Sequence, residues 1–150
     1  MKPMNYEICK KHYLKKVQID NDKINSILVM HKDRINFIEQ ISNTKINKKR
    51  FCSIICENYY EIIKELLIAL LLKKGLKSKN HECLISYFKY NFPEYEQESI
   101  ILHQLKDKRN LLHYEAKQID SDYLIRNELE FIKIIKIVTS LIKKNIEIKY

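Results

Sequence analysis

The sequence predicts an all-α protein, an up-and-down bundle of four to five helices, and three observations carry that expectation. Its 150 residues hold one glycine and two prolines, too few turn-formers for the many tight connections of an all-β fold. Ile, Leu, Lys and Glu dominate, and apolar residues recur at three- and four-residue steps along most of the chain, the period of a helix with one buried face. No internal repeat or low-complexity linker divides the chain. A length of 150 residues is enough to bury about two-thirds of the unfolded surface in one core, so a single domain over 1–150 is expected.

Residues 1–19 mix lysine with scattered Tyr, Ile and Leu and read as an extension or short helix. From Asp20 the positions Ile24, Ile27, Leu28, His31, Ile35, Ile38 and Ile41 form one stripe, with Asp20 or Asn21 as N-cap and the Ser42, Asn43, Thr44 cluster as stop. The next helix is expected from about Lys48 to Lys74. It carries Phe51, Ile55, Tyr59, Ile62, Ile63, Leu66, Leu67, Leu70 and Leu71, and Gly75 is its C-cap. Being apolar nearly all round, it should be the central core helix. A shorter helix runs from His81 to about Asn91, with Leu84, Ile85, Tyr87 and Phe88 inward, and Pro93 ends it. A fourth covers about Glu96 to Glu115 with Ile100, Ile101, Leu105, Leu111 and Leu112 apolar. Asp120 to Asp122 offer caps for a fifth, from Tyr123 to about Asn145, whose stripe is read through Ile125, Leu129, Ile132, Ile135, Ile137 or Val138, and Leu141.

Composition narrows the function classes. The net charge of +9, from 28 Lys and Arg against 19 Asp and Glu, favours an anionic partner such as nucleic acid or a nucleotide. The same lysine- and isoleucine-rich composition is also what an AT-rich genome encodes, so charge permits such a partner without requiring it. The N-terminal stretch has no apolar core of secretory type, and the longest apolar run, Leu66 to Leu72, is far too short to cross a bilayer. No membrane association is expected. Of the cysteines Cys9, Cys52, Cys56 and Cys83, only Cys52 and Cys56 are close in sequence, and no nearby histidine completes a zinc pattern. Neither a metal nor another cofactor is expected, and four buried free thiols suit a reducing, cytoplasmic setting.

One constellation carries chemistry. Lys106, Arg109, Asn110 and His113 lie at steps of three and four on the fourth helix and are expected to share one face. A guanidinium is a permanent, bidentate donor for phosphate, whereas an imidazole exchanges a proton near neutral pH. Side by side they are the minimum kit for cleaving RNA: one group holds the phosphate and the other manages the proton of a hydroxyl.

The stretch from Asn58 to Tyr114 resembles the HEPN superfamily of small α-helical domains. The resemblance lies in the long helix from Tyr59 to Gly75, in Lys79-Asn80-His81 opening the next helix, and in Arg109-Asn110-Leu-Leu-His113-Tyr114. It implies a HEPN-like core over 46–146, with residues 1–45 a less well matched helical extension. It further implies that Arg109 and His113 are the catalytic pair of a metal-independent endoribonuclease, toxin-like or defence-linked. Such an enzyme commonly works as a homodimer that brings two motifs together. Lys106, Asn110 and Tyr114 would then bind RNA or nucleotide. Tyr114 also matches a tyrosine that, in toxins of the family, accepts nucleotide modification from a minimal nucleotidyltransferase, so a nucleotidyltransferase antitoxin is an implied partner. The family usually spaces its arginine and histidine more widely; three residues intervene here. The alternative is a non-catalytic module of the same type that binds a nucleotide or a nucleotidyltransferase.

The remaining candidates have structural readings. His31, His81 and His103 are expected to be core or helix-start residues. Glu61 and Glu65 on the long helix are placed to pair with Arg109 or to orient His113, or else to form a solvated face. If Arg109 simply pairs with one of them, the chain is a helical scaffold. The runs Lys48 to Arg50 and Lys143 to Lys144 read as solvated surface or as guides for RNA.

Overall fold

The computed structural model describes residues 4–147, so Pro3 lies outside the described residues. Among the described residues the chain is 82% helical, with seven helices and 3% strand. In order these are α1 (Tyr6–His12), β1 (Lys15–Lys16), α2 (Asn21–Ser42), α3 (Lys45–Arg50), α4 (Cys52–Lys73), β2 (Leu76–Lys77), α5 (His81–Asn91), a 3₁₀ turn (Pro93–Tyr95), α6 (Glu96–Glu115) and α7 (Ser121–Glu147). Seven helices exceed the four to five expected: α1 falls in the stretch read as an extension or short helix, and α3 is an addition.

Local chemistry sets the boundaries. The Asp20 carboxylate accepts from the Lys23 amide at 2.9 Å and so caps α2. Asn80 does the same for α5, accepting from the Glu82 amide at 2.9 Å. The helix expected from Lys48 to Lys74 is two helices instead. Thr44 caps a new start by accepting from the Asn47 amide, and Phe51, at φ −104° and ψ 19°, interrupts the spiral before Cys52. Periodicity misses such a break because one non-helical residue barely changes the phase of the apolar stripe.

α4 is the axis of the molecule. Ile55, Tyr59, Tyr60, Ile62, Ile63, Leu66, Leu67, Leu70 and Leu71 are all buried, and α2, α7, α6 and α5 each pack against it. One hydrophobic cluster joins Ile24 of α2, Phe88 of α5, Leu105 of α6 and Phe131 of α7 to this axis.

Two expected stripes are met in part, with Ile135 and Val138 of α7 and Leu105 of α6 buried as expected. On α7 the buried set is Tyr123, Leu124, Phe131, Ile134, Ile135, Val138 and Ile142, whereas Ile125 is exposed and Leu129 is 80% exposed. Adjacent apolar pairs such as Leu124-Ile125, Phe131-Ile132 and Leu141-Ile142 write two overlapping stripes, and packing on α4 selects one. On α6, Ile100 faces out while Leu102 and His103 are buried.

The cysteine expectation is corrected. Cys9 and Cys83 form a disulfide with Cα atoms 5.5 Å apart across 74 residues of sequence, which ties α1 to α5. Cys52 and Cys56 are free and buried. Only contact in three dimensions brings the first pair together. The case for a reducing compartment therefore loses two of its four thiols.

A second feature absent from the periodicity is the two-stranded antiparallel ribbon in which Lys15 opposes Lys77 and Lys16 opposes Leu76. Gly75 makes it possible: its φ is +69°, and its carbonyl accepts from the Val17 amide at 2.9 Å. Among the described residues no helix is long and apolar enough to cross a membrane.

Candidate functional site

Arg109 and His113 sit one turn apart on α6 and both face α4, which runs antiparallel to it. The Arg109 Nη2 donates to Glu61 Oε1 at 3.2 Å, and His113 Nε2 meets Glu57 Oε1 at 2.5 Å. The i, i+4 spacing of the two bases on α6 is matched by an i, i+4 pair of carboxylates on α4. In antiparallel helices equal spacings align rung by rung, so each base has its own acid.

The two side chains are held differently. Arg109 is 17% exposed, and its guanidinium carbon lies 5.4 Å from the centre of the Tyr60 ring, a cation–π contact that fixes its plane. His113 is 40% exposed and opens to solvent. Tyr114 follows it at 81% exposed, and Asn110 is half-buried.

Lys106 does not join them. Its side chain is 4% exposed and its ammonium donates to Glu82 of α5 at 2.8 Å. It belongs to the α5–α6 packing, not to the face expected to meet RNA. A three-residue step from Arg109 turns a side chain by about 60° around the helix, enough here to move it from the α4 side to the α5 side.

Charge around Glu61 is dense. Lys64 also bonds this carboxylate. Burial works to raise the Glu61 carboxyl, but Lys64, Arg109 and Arg34 together outweigh it and hold the group below its usual range. Burial pushes the Tyr60 hydroxyl up to about 12, with Arg109 pulling the other way. His81, at the start of α5, is pushed down by burial and by the cations Lys64 and Arg109. Two N–H groups are left over: Arg109 Nε and Arg34 Nη1 are buried with no hydrogen-bond partner. The cluster thus retains two buried donors without an acceptor.

Sequence reasoning placed Arg109 and His113 on one face and named Glu61 as a partner. It missed Glu57, Arg34 and the nearness of His81. Glu57 was findable, because Glu57, Glu61 and Glu65 form an i, i+4, i+8 row that mirrors the spacing on α6. Arg34 was not, since it flanks the buried stripe of α2 and only packing decides that it turns toward Glu61. Among the described residues no group of three His, Cys, Asp or Glu side chains converges to hold a metal ion.

The chain matches no protein-family model, no curated protein and no solved structure.

Proposed function

We propose that this protein is a metal-independent endoribonuclease of HEPN type, toxin-like and cytoplasmic, with a HEPN-like helical bundle and a site completed by a second copy of the chain. The observation that carries the reading is the Arg109–His113 pair: one cation and one imidazole a turn apart, each oriented by its own carboxylate from α4. Glu57 acts as a positioning residue. With Nε2–H donated to Glu57, the lone pair of the neutral ring sits on Nδ1, which takes the proton of a ribose 2′-hydroxyl. The 2′-oxygen then bonds to phosphorus and the 5′-oxygen departs, protonated by the imidazole of the second copy. A 2′,3′-cyclic phosphate and a 5′-hydroxyl remain. Arg109 holds the phosphate oxygens as charge develops on them, with Asn110 and the exposed Tyr114 ring beside them for RNA or nucleotide. Tyr114 is also the position at which a nucleotidyltransferase antitoxin would modify the chain.

The test is incubation with total cellular RNA in a chelator, followed by end-group analysis. Wild type should yield cyclic-phosphate ends, and His113→Ala should lower the rate by about a hundredfold or more. Undiminished cleavage by His113→Ala removes the imidazole from the mechanism. No cleavage by wild type rejects the enzyme.

A second reading is favoured by the same ion pairs: Arg109 already has an acid partner in Glu61, as a helical scaffold or a non-catalytic binding module requires. Under that reading Arg109→Ala lowers stability, and His113→Gln leaves nucleotide affinity unchanged.

A further inference from the structure

Next to the α5 N-cap, the β1–β2 ribbon walls a cavity of about 420 Å³. Lys15 and Lys16 line it from β1, Lys77 from β2, Lys79 from the turn into α5, and His12 and Tyr13 from the end of α1. No acidic residue lines it. Among the described residues none of these four lysines takes part in an ion pair, unlike Lys10, Lys48, Lys64, Lys106 and Lys133. Lys15 and Lys77 are moreover direct cross-strand partners, and like charges in that position oppose each other. A ribbon two residues long that retains this repulsion, with no carboxylate in the cavity lining to relieve it, is arranged for an anion supplied from outside.

We propose that this cavity binds the phosphodiester backbone of single-stranded RNA. Aromatic groups distinguish it from a plain phosphate site. Tyr13 is exposed and stands edge-on to the His12 ring, with centroids 6.4 Å apart, giving bases a surface to stack on while ammonium groups track the phosphates. Position supports the same occupant. The cavity ends at Asn80, the cap of α5, and the next residue, His81, lies within the electrostatic reach of Arg109 and Lys64. A strand lying on the lysines and passing the start of α5 would thus come within electrostatic reach of Arg109. The inference rests on the ribonuclease reading for its choice of RNA over other polyanions.

The experiment is fluorescence anisotropy with a labelled twelve-residue oligouridine, in the His113→Ala background so that the probe stays intact. Replacing Lys15, Lys16, Lys77 and Lys79 by Gln should weaken binding at least about tenfold and flatten the dependence of log affinity on log salt by about 2–3, because each phosphate contact on a single strand contributes roughly 0.7. A control with Lys32, Lys136, Lys143 and Lys144 replaced by Gln removes the same charge elsewhere. Equal losses in the two variants, or binding of inorganic tripolyphosphate without binding of RNA, would overturn the assignment. Circular dichroism confirms that each variant is folded. Failure of the nuclease reading is separable: wild type that binds oligouridine through these lysines yet cleaves nothing refutes the enzyme and leaves the cavity assigned.

Discussion

His31, His81 and His103 set how the protein responds to acid. Burial is the leading cause of a lowered pKa at each, reinforced by Lys32 and Lys143 at His31, by Lys64 and Arg109 at His81, and by Lys106 at His103. The contact of His103 Nδ1 with Asp107 at 3.5 Å is thus a contact of a neutral ring. In the unfolded chain each imidazole titrates near 6.5, so between that value and the lower folded one the unfolded state binds more protons. Stability is complete above about pH 6.5 and falls as the pH drops below it. The urea midpoint should accordingly be lower at pH 5.5 than at pH 7.5, and equal midpoints would show that these rings are not held neutral. Glu61 and Glu98 are also depressed, but they act below the ordinary carboxylate range, outside this window. That His31 and His103 are buried was readable from their apolar neighbours in sequence; that Lys143 presses on His31, and Lys64 and Arg109 on His81, was not, since those cations come from other helices.

Among the elements, the β1–β2 ribbon is the one whose integrity turns on a single residue. A Cβ added at Gly75 would lie 3.0 Å from the Val17 carbonyl oxygen, a backbone atom that cannot swing aside, and the φ of +69° is one that L side chains rarely adopt. Gly75→Ala should cost about 1–2 kcal/mol in urea unfolding and should weaken oligouridine binding by displacing Lys15 from Lys77. A neutral result in both measurements would mean that the ribbon tolerates rearrangement. The glycine itself was legible as a helix end after Lys73 and Lys74, because few other residues close a helix in the left-handed region. The ribbon was not legible: its strands are two residues each and some 60 positions apart, and no periodicity exists at that length.

For the molecule as a whole, the buried stripe of α7 leaves Ile125 and Leu129 in solvent one turn apart, an apolar pair that a second copy of the chain would cover. The proposed homodimer should sediment at twice the 18.2 kDa chain mass. Leu129→Glu should shift the equilibrium to monomer without lowering the monomer's own thermal stability, since the leucine touches little of the core. A wild type that sediments as a single chain at all concentrations would remove both the dimer and the composite site.

What the sequence determined by itself was a set of periodic and local features. Sparse turn-formers and a persistent three-to-four repeat dictated long helices, the Asp20-Asn21 pair marked where α2 starts, and the i, i+4 step placed Arg109 and His113 on one face. Those features depend on atoms within a few residues of one another, and a short window of sequence contains them. Tertiary structure alone decided which of two overlapping stripes on α7 turns inward, that Cys9 meets Cys83, that Lys106 turns to Glu82, and that Glu57 and Glu61 answer the two bases of α6. Each of these depends on how helices are rotated about their own axes as they pack, and that rotation is set by the summed burial of all the helices on α4.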